Sequence, residues 1–196
     1  IFAGLLGGGM LFMPNWSYAL PSGGQVVTNN GTITAGGKVM DITGSGNVAI
    51  DWNSFNIAAD EIVNFKNMQA VLNYVSGGSK SEIFGKLNGA GVNVFLVNPN
   101  GILFGKTAQV NVGQLTASTR SLEKAALNSF NGSLSPLDAG GAANVKADII
   151  NLGKLKAGKL VLEGNNLSII GSDSLEVADK SKITLRAGEN INIGYE

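Results

Sequence analysis

The chain has 196 residues, with 14 Lys and Arg against 14 Asp and Glu, and it contains neither His nor Cys. These counts exclude disulfides, thiol nucleophiles, Ser-His-Asp chemistry and the commonest zinc and haem ligands, so that an active site would have to rest on carboxylates, Lys, Arg, Tyr or hydroxyls. A net charge of zero with both signs dispersed gives no basic footprint for nucleic acid and no polybasic patch for anionic lipid.

The first charged residue is Lys38, and Ile1 to Met13 is an unbroken apolar and glycine run closed by Pro14 and Asn15. Such a run is too short to span a bilayer, for which about 20 apolar residues are needed, but it suits the apolar part of a secretory leader. Ser17-Tyr18-Ala19 has small residues at the first and third positions of a cleavage site. Residues 1–19 are therefore read as the end of a signal peptide whose start lies upstream, with cleavage between Ala19 and Leu20. The domain is then 20–196.

From Gln25 onward short alternating runs recur between turn clusters: Gln25–Thr28, Thr32–Thr34, Lys38–Ile42 and Asn47–Asp51. With 28 Gly, 22 Asn and only 4 Pro, the composition favours many short strands and tight turns. Leu160–Ile169 and Ile183–Asn192 carry the same apolar–turn–apolar phrase 23 residues apart, and Val94–Leu103 carries it 66 residues before Leu160. Taken as three spacings, that separation gives a period of about 22 residues. A period of this size with two or three strands predicts an all-β fold, a right-handed parallel β-helix of about seven coils with small extra-helical β elements. An antiparallel sandwich is the competing architecture, but it need not repeat one phrase at one spacing.

Two segments break the rhythm. Ser121–Phe130 has Leu122, Ala125, Ala126 and Leu127 at helical spacing behind a Ser able to cap, which predicts a short surface helix. Asn131–Ala143, rich in Gly and Ser and containing Pro136, reads as a loop. The strand rhythm persists to Ile193 without a polar cap, so the solenoid is expected to continue beyond Glu196.

Ile50–Ile57, Val63-Asn64-Phe65, Leu72-Asn73, Ile83–Leu87 and above all Val94–Gly105, VFLVNPNGILFG, resemble the N-terminal secretion domain of filamentous-haemagglutinin-type exoproteins, the two-partner secretion family with its haemagglutination activity domain. Leu20–Gly24, at the expected mature start, is similar as well. With a single Asn-Pro-Asn, at 98–100, the chain resembles the high-molecular-weight adhesin branch more closely. The resemblance implies a right-handed β-helix that acts as an export signal. It implies a cognate outer-membrane β-barrel transporter, of the TpsB type with periplasmic recognition domains, as partner. It further implies secretion, or display at the cell surface, by way of the periplasm of a Gram-negative-type bacterium. A host receptor or glycan is then the business of regions downstream; no nucleic acid and no cofactor are implied.

Asn98, Pro99, Asn100, Gly101 and Ile102 are the candidate site. Pro at the second turn position fixes φ, and Asn and Gly tolerate positive φ, so the residues predict a β-turn. Two roles stay open for it: a feature read by the transporter, or a corner that nucleates folding within Val94–Phe104. Trp52 and Phe55 are read as core rather than as an exposed recognition patch. The rival functions are a β-helix carbohydrate-active enzyme and a glycan-binding adhesin module. The enzyme needs convergent carboxylates. Only Asp60 and Glu61 adjoin in sequence, and neighbours in a strand point apart. The expectation is a non-enzymatic domain with no catalytic, cofactor or metal residue.

Overall fold

The computed structural model describes residues 19–135, 145–171, 174–178 and 181–195. The leader run 1–13, the Ser17-Tyr18 half of the cleavage site and most of the 131–143 loop lie outside the described residues. In chain order the elements are β1 (Gln25–Val26), β2 (Gly31–Gly36), β3 (Val39–Gly44), β4 (Asn47–Trp52), β5 (Ile62–Lys66), β6 (Ala70–Val75) and β7 (Ser81–Ile83). There follow β8 (Lys86–Val97), β9 (Ile102–Phe104), β10 (Gln109–Ser118), α1 (Lys124–Asn128), β11 (Ile149–Asn151), β12 (Lys154–Ile170), β13 (Leu175–Val177) and β14 (Ile183–Gly194).

Alternation decides the architecture. Val48, Val71, Val94, Leu115, Leu160 and Ile183 pair one with the next in parallel register, so six rungs stack on one face. The following inward position gives a second column of Ile50, Asn73, Leu96, Ala117, Leu162 and Leu185. A second face stacks β7, β9, β11 and the ends of β12 and β14. A third stacks β3, β5, the starts of β8, β10 and β12, and β13. The chain visits the faces in fixed order and closes a right-handed β-solenoid of about six turns. At about 4.8 Å per rung the stack is about 24 Å long between its outer rungs.

The column also corrects the expected count. Its steps are 23, 23, 21, 45 and 23 residues, so Val94 and Leu160 are two coils apart rather than three. The long step holds an insertion between Ser118 and Ile149 that is nearly as long as a coil and so preserves the apparent period. It leaves at Arg120, which forms an antiparallel bridge with Val145 at the base of the return. Glu163 on β12, 1% exposed, takes Arg120 on one carboxylate oxygen and Arg186 of β14 on the other at 2.8 Å. Arg120 also donates from Nε to Ser118 Oγ at 3.2 Å and from Nη1 to Ser135 O at 2.7 Å. The pair is buried, and its charges are compensated by these bonds.

The helix is shorter and less superficial than its sequence suggests. α1 is one turn and a half, it starts after Glu123, and no side chain caps it, so Ser121 does not serve as cap. Leu127 is 2% exposed and packs with Phe130 on the outer side of the first face, over Ala49, Ala70, Leu72 and Val97. Strand alternation alone would send these four residues to solvent; the insertion covers them with a second, smaller core. The main core inside the coils includes Trp52 and Phe55, both buried and in edge contact with centroids 5.6 Å apart. Asn73 is the polar intruder there: it accepts from Trp52 Nε1 at 3.1 Å and donates to Phe95 O at 3.2 Å, which satisfies it.

The N-terminal edge is closed by antiparallel chain. β1 pairs with β4, β2 with β3, and Ser22 with Ser54, so residues 22–36 wrap the first coil and satisfy its open backbone. Gly24 lies flat on Trp52: a Cβ there would stand 2.4 Å from the ring. At the other end Ile191 and Ile193 of β14 are 46% and 64% exposed. On the outside of the third face Asn88 donates to Asn64 at 3.0 Å, and Asn64 to Asp41 at 2.9 Å, a ladder that ends on a carboxylate.

Two expectations follow. Leu72→Ala should cost about 2–5 kcal/mol in a denaturant titration, as for a core residue, whereas a solvent-facing strand position would lose no more than about 0.5 kcal/mol. The second concerns Asp41. Lys66 Nζ, donating at 2.8 Å, and the Asn64 amide hold the Asp41 carboxyl below the usual range. Its stabilisation is present above the unfolded value of about 3.9 and is lost as pH falls through the lower folded value. Lys66→Met should raise the Asp41 midpoint, read from its carboxyl chemical shift.

Candidate functional site

The Asn98–Ile102 segment joins the first face to the second between β8 and β9. Pro99 and Asn100 form the turn, and Gly101 N–H donates back to Asn98 O at 3.1 Å. Gly101 has φ +111° and a Cβ on it would meet Asp148 O at 3.3 Å, so glycine answers both the backbone conformation and the close approach. The expected β-turn is present, and of the Asn and Gly able to tolerate positive φ it is Gly101 that adopts it.

The two asparagines have different surroundings. Asn98 is fully buried; its Nδ2 donates to Ser79 O and Ser81 Oγ, both at 3.0 Å, and its Oδ1 accepts from the Asn100 N–H at 2.9 Å. Its own N–H donates to Ser118 O at 2.9 Å in the next coil. Asn98 thus fastens its corner to the coil before and the coil after, and its side chain has no face toward solvent. Asn100 is exposed, and its Nδ2 reaches Gly77 O at 2.7 Å. Ile102 is buried in the main core and its N–H donates to Asp148 O at 3.1 Å. Of the five residues, Asn100 and the half-buried Pro99 are the ones that face outward.

Beside the turn lies a groove of about 440 Å³ lined by Lys80, Asn100, Leu103, Lys146, Asp148 and Ile150, among others. Lys80 is paired with Glu82 at 2.9 Å, and Ile150 is 38% exposed. Sequence reasoning missed this groove. Its far wall comes from the return of the insertion, and nothing in the sequence puts Asp148 in register with Gly101, 47 residues earlier.

Among the described residues the carboxylates do not converge on a metal site. Asp60 is exposed and paired with Lys38, while its neighbour Glu61 is buried and takes N–H groups from Ala19 and Ala58. Among the described residues no three acidic side chains come together in a way that would hold a metal ion. Ala19 and Leu20, the expected cleavage residues, lie against the first coil, with Leu20 packed on the main core.

A family model described as the TPS secretion domain matches residues 17–195. The chain belongs to this family. Two proteins named heme/hemopexin-binding protein, both from Haemophilus influenzae, are similar to this TPS secretion domain: one is 33% identical over 177 residues, covering 87% of this chain and 19% of the relative, and the other 41% identical over 99 residues, covering 49% and 11%. The chain thus spans about a fifth of the length of the first of these relatives. Among solved structures, the crystal structure of the HMW1 secretion domain from Haemophilus influenzae superposes with a TM-score of 0.58 at 26% identity, covering 89% of this chain and 57% of that one. The β-helix and the family expected from the 50–105 motifs are thereby shown.

The two asparagines of this TPS secretion domain should separate in mutagenesis. Asn98→Ala leaves Ser81 Oγ and Ser79 O without their buried partner and should cost about 1–3 kcal/mol. Asn100→Ala, at an exposed position, should cost about 1 kcal/mol or less. Urea midpoints of the two variants check the order.

Proposed function

We propose that 20–196 is the secretion-signal domain of a larger exported exoprotein of the adhesin or haemagglutinin kind, engaged in the periplasm by a cognate outer-membrane β-barrel transporter and folded outside the cell. The observation that carries the reading is the TPS secretion domain match across 17–195. The structure adds physical support. With no Cys in these 196 residues, an oxidising periplasm cannot trap this segment by disulfides while it is unfolded. A solenoid folds rung upon rung, and each rung formed outside opposes sliding back. Residues 1–19 act as the end of the leader, and display at the surface of a Gram-negative bacterium follows export.

Within this reading the 98–102 turn has both of its roles, divided between residues. Asn98, Gly101 and Ile102 hold the corner of the coil that seeds folding. Asn100, exposed beside a groove with Lys80 and Lys146 on its walls, is what a transporter domain meets. Any host receptor or glycan belongs to the rest of the exoprotein.

A secretion assay tests this: the chain with its leader is expressed in a Gram-negative host with and without the cognate transporter, and folded protein in the medium is quantified. Transporter-dependent appearance is expected. Asn100→Ala should keep a cooperative unfolding transition yet reduce export about tenfold, the equivalent of about 1.4 kcal/mol of recognition. A folded chain that stays in the periplasm despite its transporter would overturn the export role.

A further inference from the structure

Glu61 is a buried carboxyl group held by two backbone donors. Its carboxylate is 1% exposed, with Oε1 accepting from the Ala19 N–H at 2.9 Å and Oε2 from the Ala58 N–H at 2.8 Å. The other buried carboxylate, Glu163, has two arginines; among the described residues no Lys or Arg pairs with Glu61. A buried carboxylate ordinarily has a cation, because neutral donors offset only part of its desolvation. Residues 1–37 hold no Lys or Arg, and Lys38 is paired with Asp60.

The surroundings of Glu61 are built to hold it in place. Its own N–H and carbonyl are engaged, by Ala58 O and the Lys86 N–H at 2.9 Å each. The turn from Ala58 to Glu61 presses on Gly85, where a Cβ would stand 2.2 Å from Ala58 O. The partner of Oε1 is the backbone nitrogen of Ala19, and Leu20 next to it is packed on the core. A positive charge that lies within one residue of this position is the α-ammonium a chain acquires when it is cut between Ala19 and Leu20. Reaching Oε1 from there requires about one residue's travel, about 3.8 Å, across the place the Ala19 backbone gives up.

We propose that Glu61 is the receptor for the α-ammonium of Leu20 created by leader removal, so that processing itself supplies the missing cation and fastens the N-terminal cap to the first coil. The inference rests on the reading of 1–19 as the end of a leader. Among the described residues, the titratable groups on the segments bonded around Glu61 include Asp60 with Lys38, Glu82 with Lys80, and Lys86. The sign of the effect is distinctive: pairing with a carboxylate raises the amine above its ordinary value of about 7.7–8.0, while burial alone would lower it. The stabilisation is complete below about pH 8 and is lost as pH rises through the raised folded value.

The experiment uses the exported chain recovered from the medium. Mass spectrometry gives its first residue, and the rate of α-amine acylation across pH 6–11 gives the amine's midpoint, in the folded chain and in urea. Leu20 as first residue, with a folded midpoint at least about one unit above the unfolded one and labelling at pH 8 about tenfold slower, is the expected result. Glu61→Gln should return the midpoint to the unfolded value or below; the comparison of folded with unfolded wild-type chain stands without that variant. A Leu20 terminus with an unshifted or lowered midpoint would overturn the capture and leave the leader reading intact. A different first residue would overturn the cleavage position and this inference with it.

Discussion

The structure depends on the requirement that each rung's backbone groups be satisfied by the rungs on either side. A parallel coil cannot complete its hydrogen bonds internally, and buried N–H and C=O groups left unpaired are costly. Every other feature is a response to that requirement. The antiparallel wrap of 22–36 answers it at the first coil, the three faces answer it along the stack, and the corners answer it by side-chain amides such as Asn98 where the ladder of backbone bonds is interrupted.

Side chains follow from the same register. Because rungs are aligned residue by residue, one inward position becomes a column, and a column tolerates Val, Ile or Leu at each level but accepts Asn73 only because Trp52 and Phe95 meet it in the adjacent rungs. Outward positions become columns too. In one of these the insertion supplies Leu127 and Phe130 to cover apolar residues; in another Asn88, Asn64 and Asp41 satisfy one another. The ladder has a direction: each amide donates toward the N-terminal rung, and Asp41, which only accepts when ionised, is its natural end.

The solenoid was legible because inward columns produce strict alternation and a fixed spacing, as between Leu160 and Ile183, which pair directly. The coil count was not, because the insertion between Ser118 and Ile149 is nearly one coil long and leaves the phase of the pattern unchanged. The helix was legible as a helix, yet its burial depended on Leu72, a residue that alternation assigns to solvent. At the turn, Pro99 and Gly101 announced the chain reversal through their own backbone limits. That Asn98 would be consumed by Ser79 and Ser81 required knowledge of which coil lies beneath, and this is a property of register rather than of the turn's residues. In the sequence Glu61 stands only as the neighbour of Asp60; that no Lys or Arg among the described residues pairs with it is visible in space alone.

The three-way contact of Glu163 has a mechanical meaning. In this architecture the inter-rung hydrogen bonds run along the rod, so tension applied end to end loads the rung boundaries in series and the weakest one opens first. Arg120 leaves from the fourth rung, Glu163 sits on the fifth and Arg186 on the sixth, so two successive boundaries are bridged by side chains as well as by backbone. A pull along the axis must break these charge-assisted bonds together with the strand pairing, which makes this end of the stack a stiff coupling rather than a peeling point for whatever load the rod transmits.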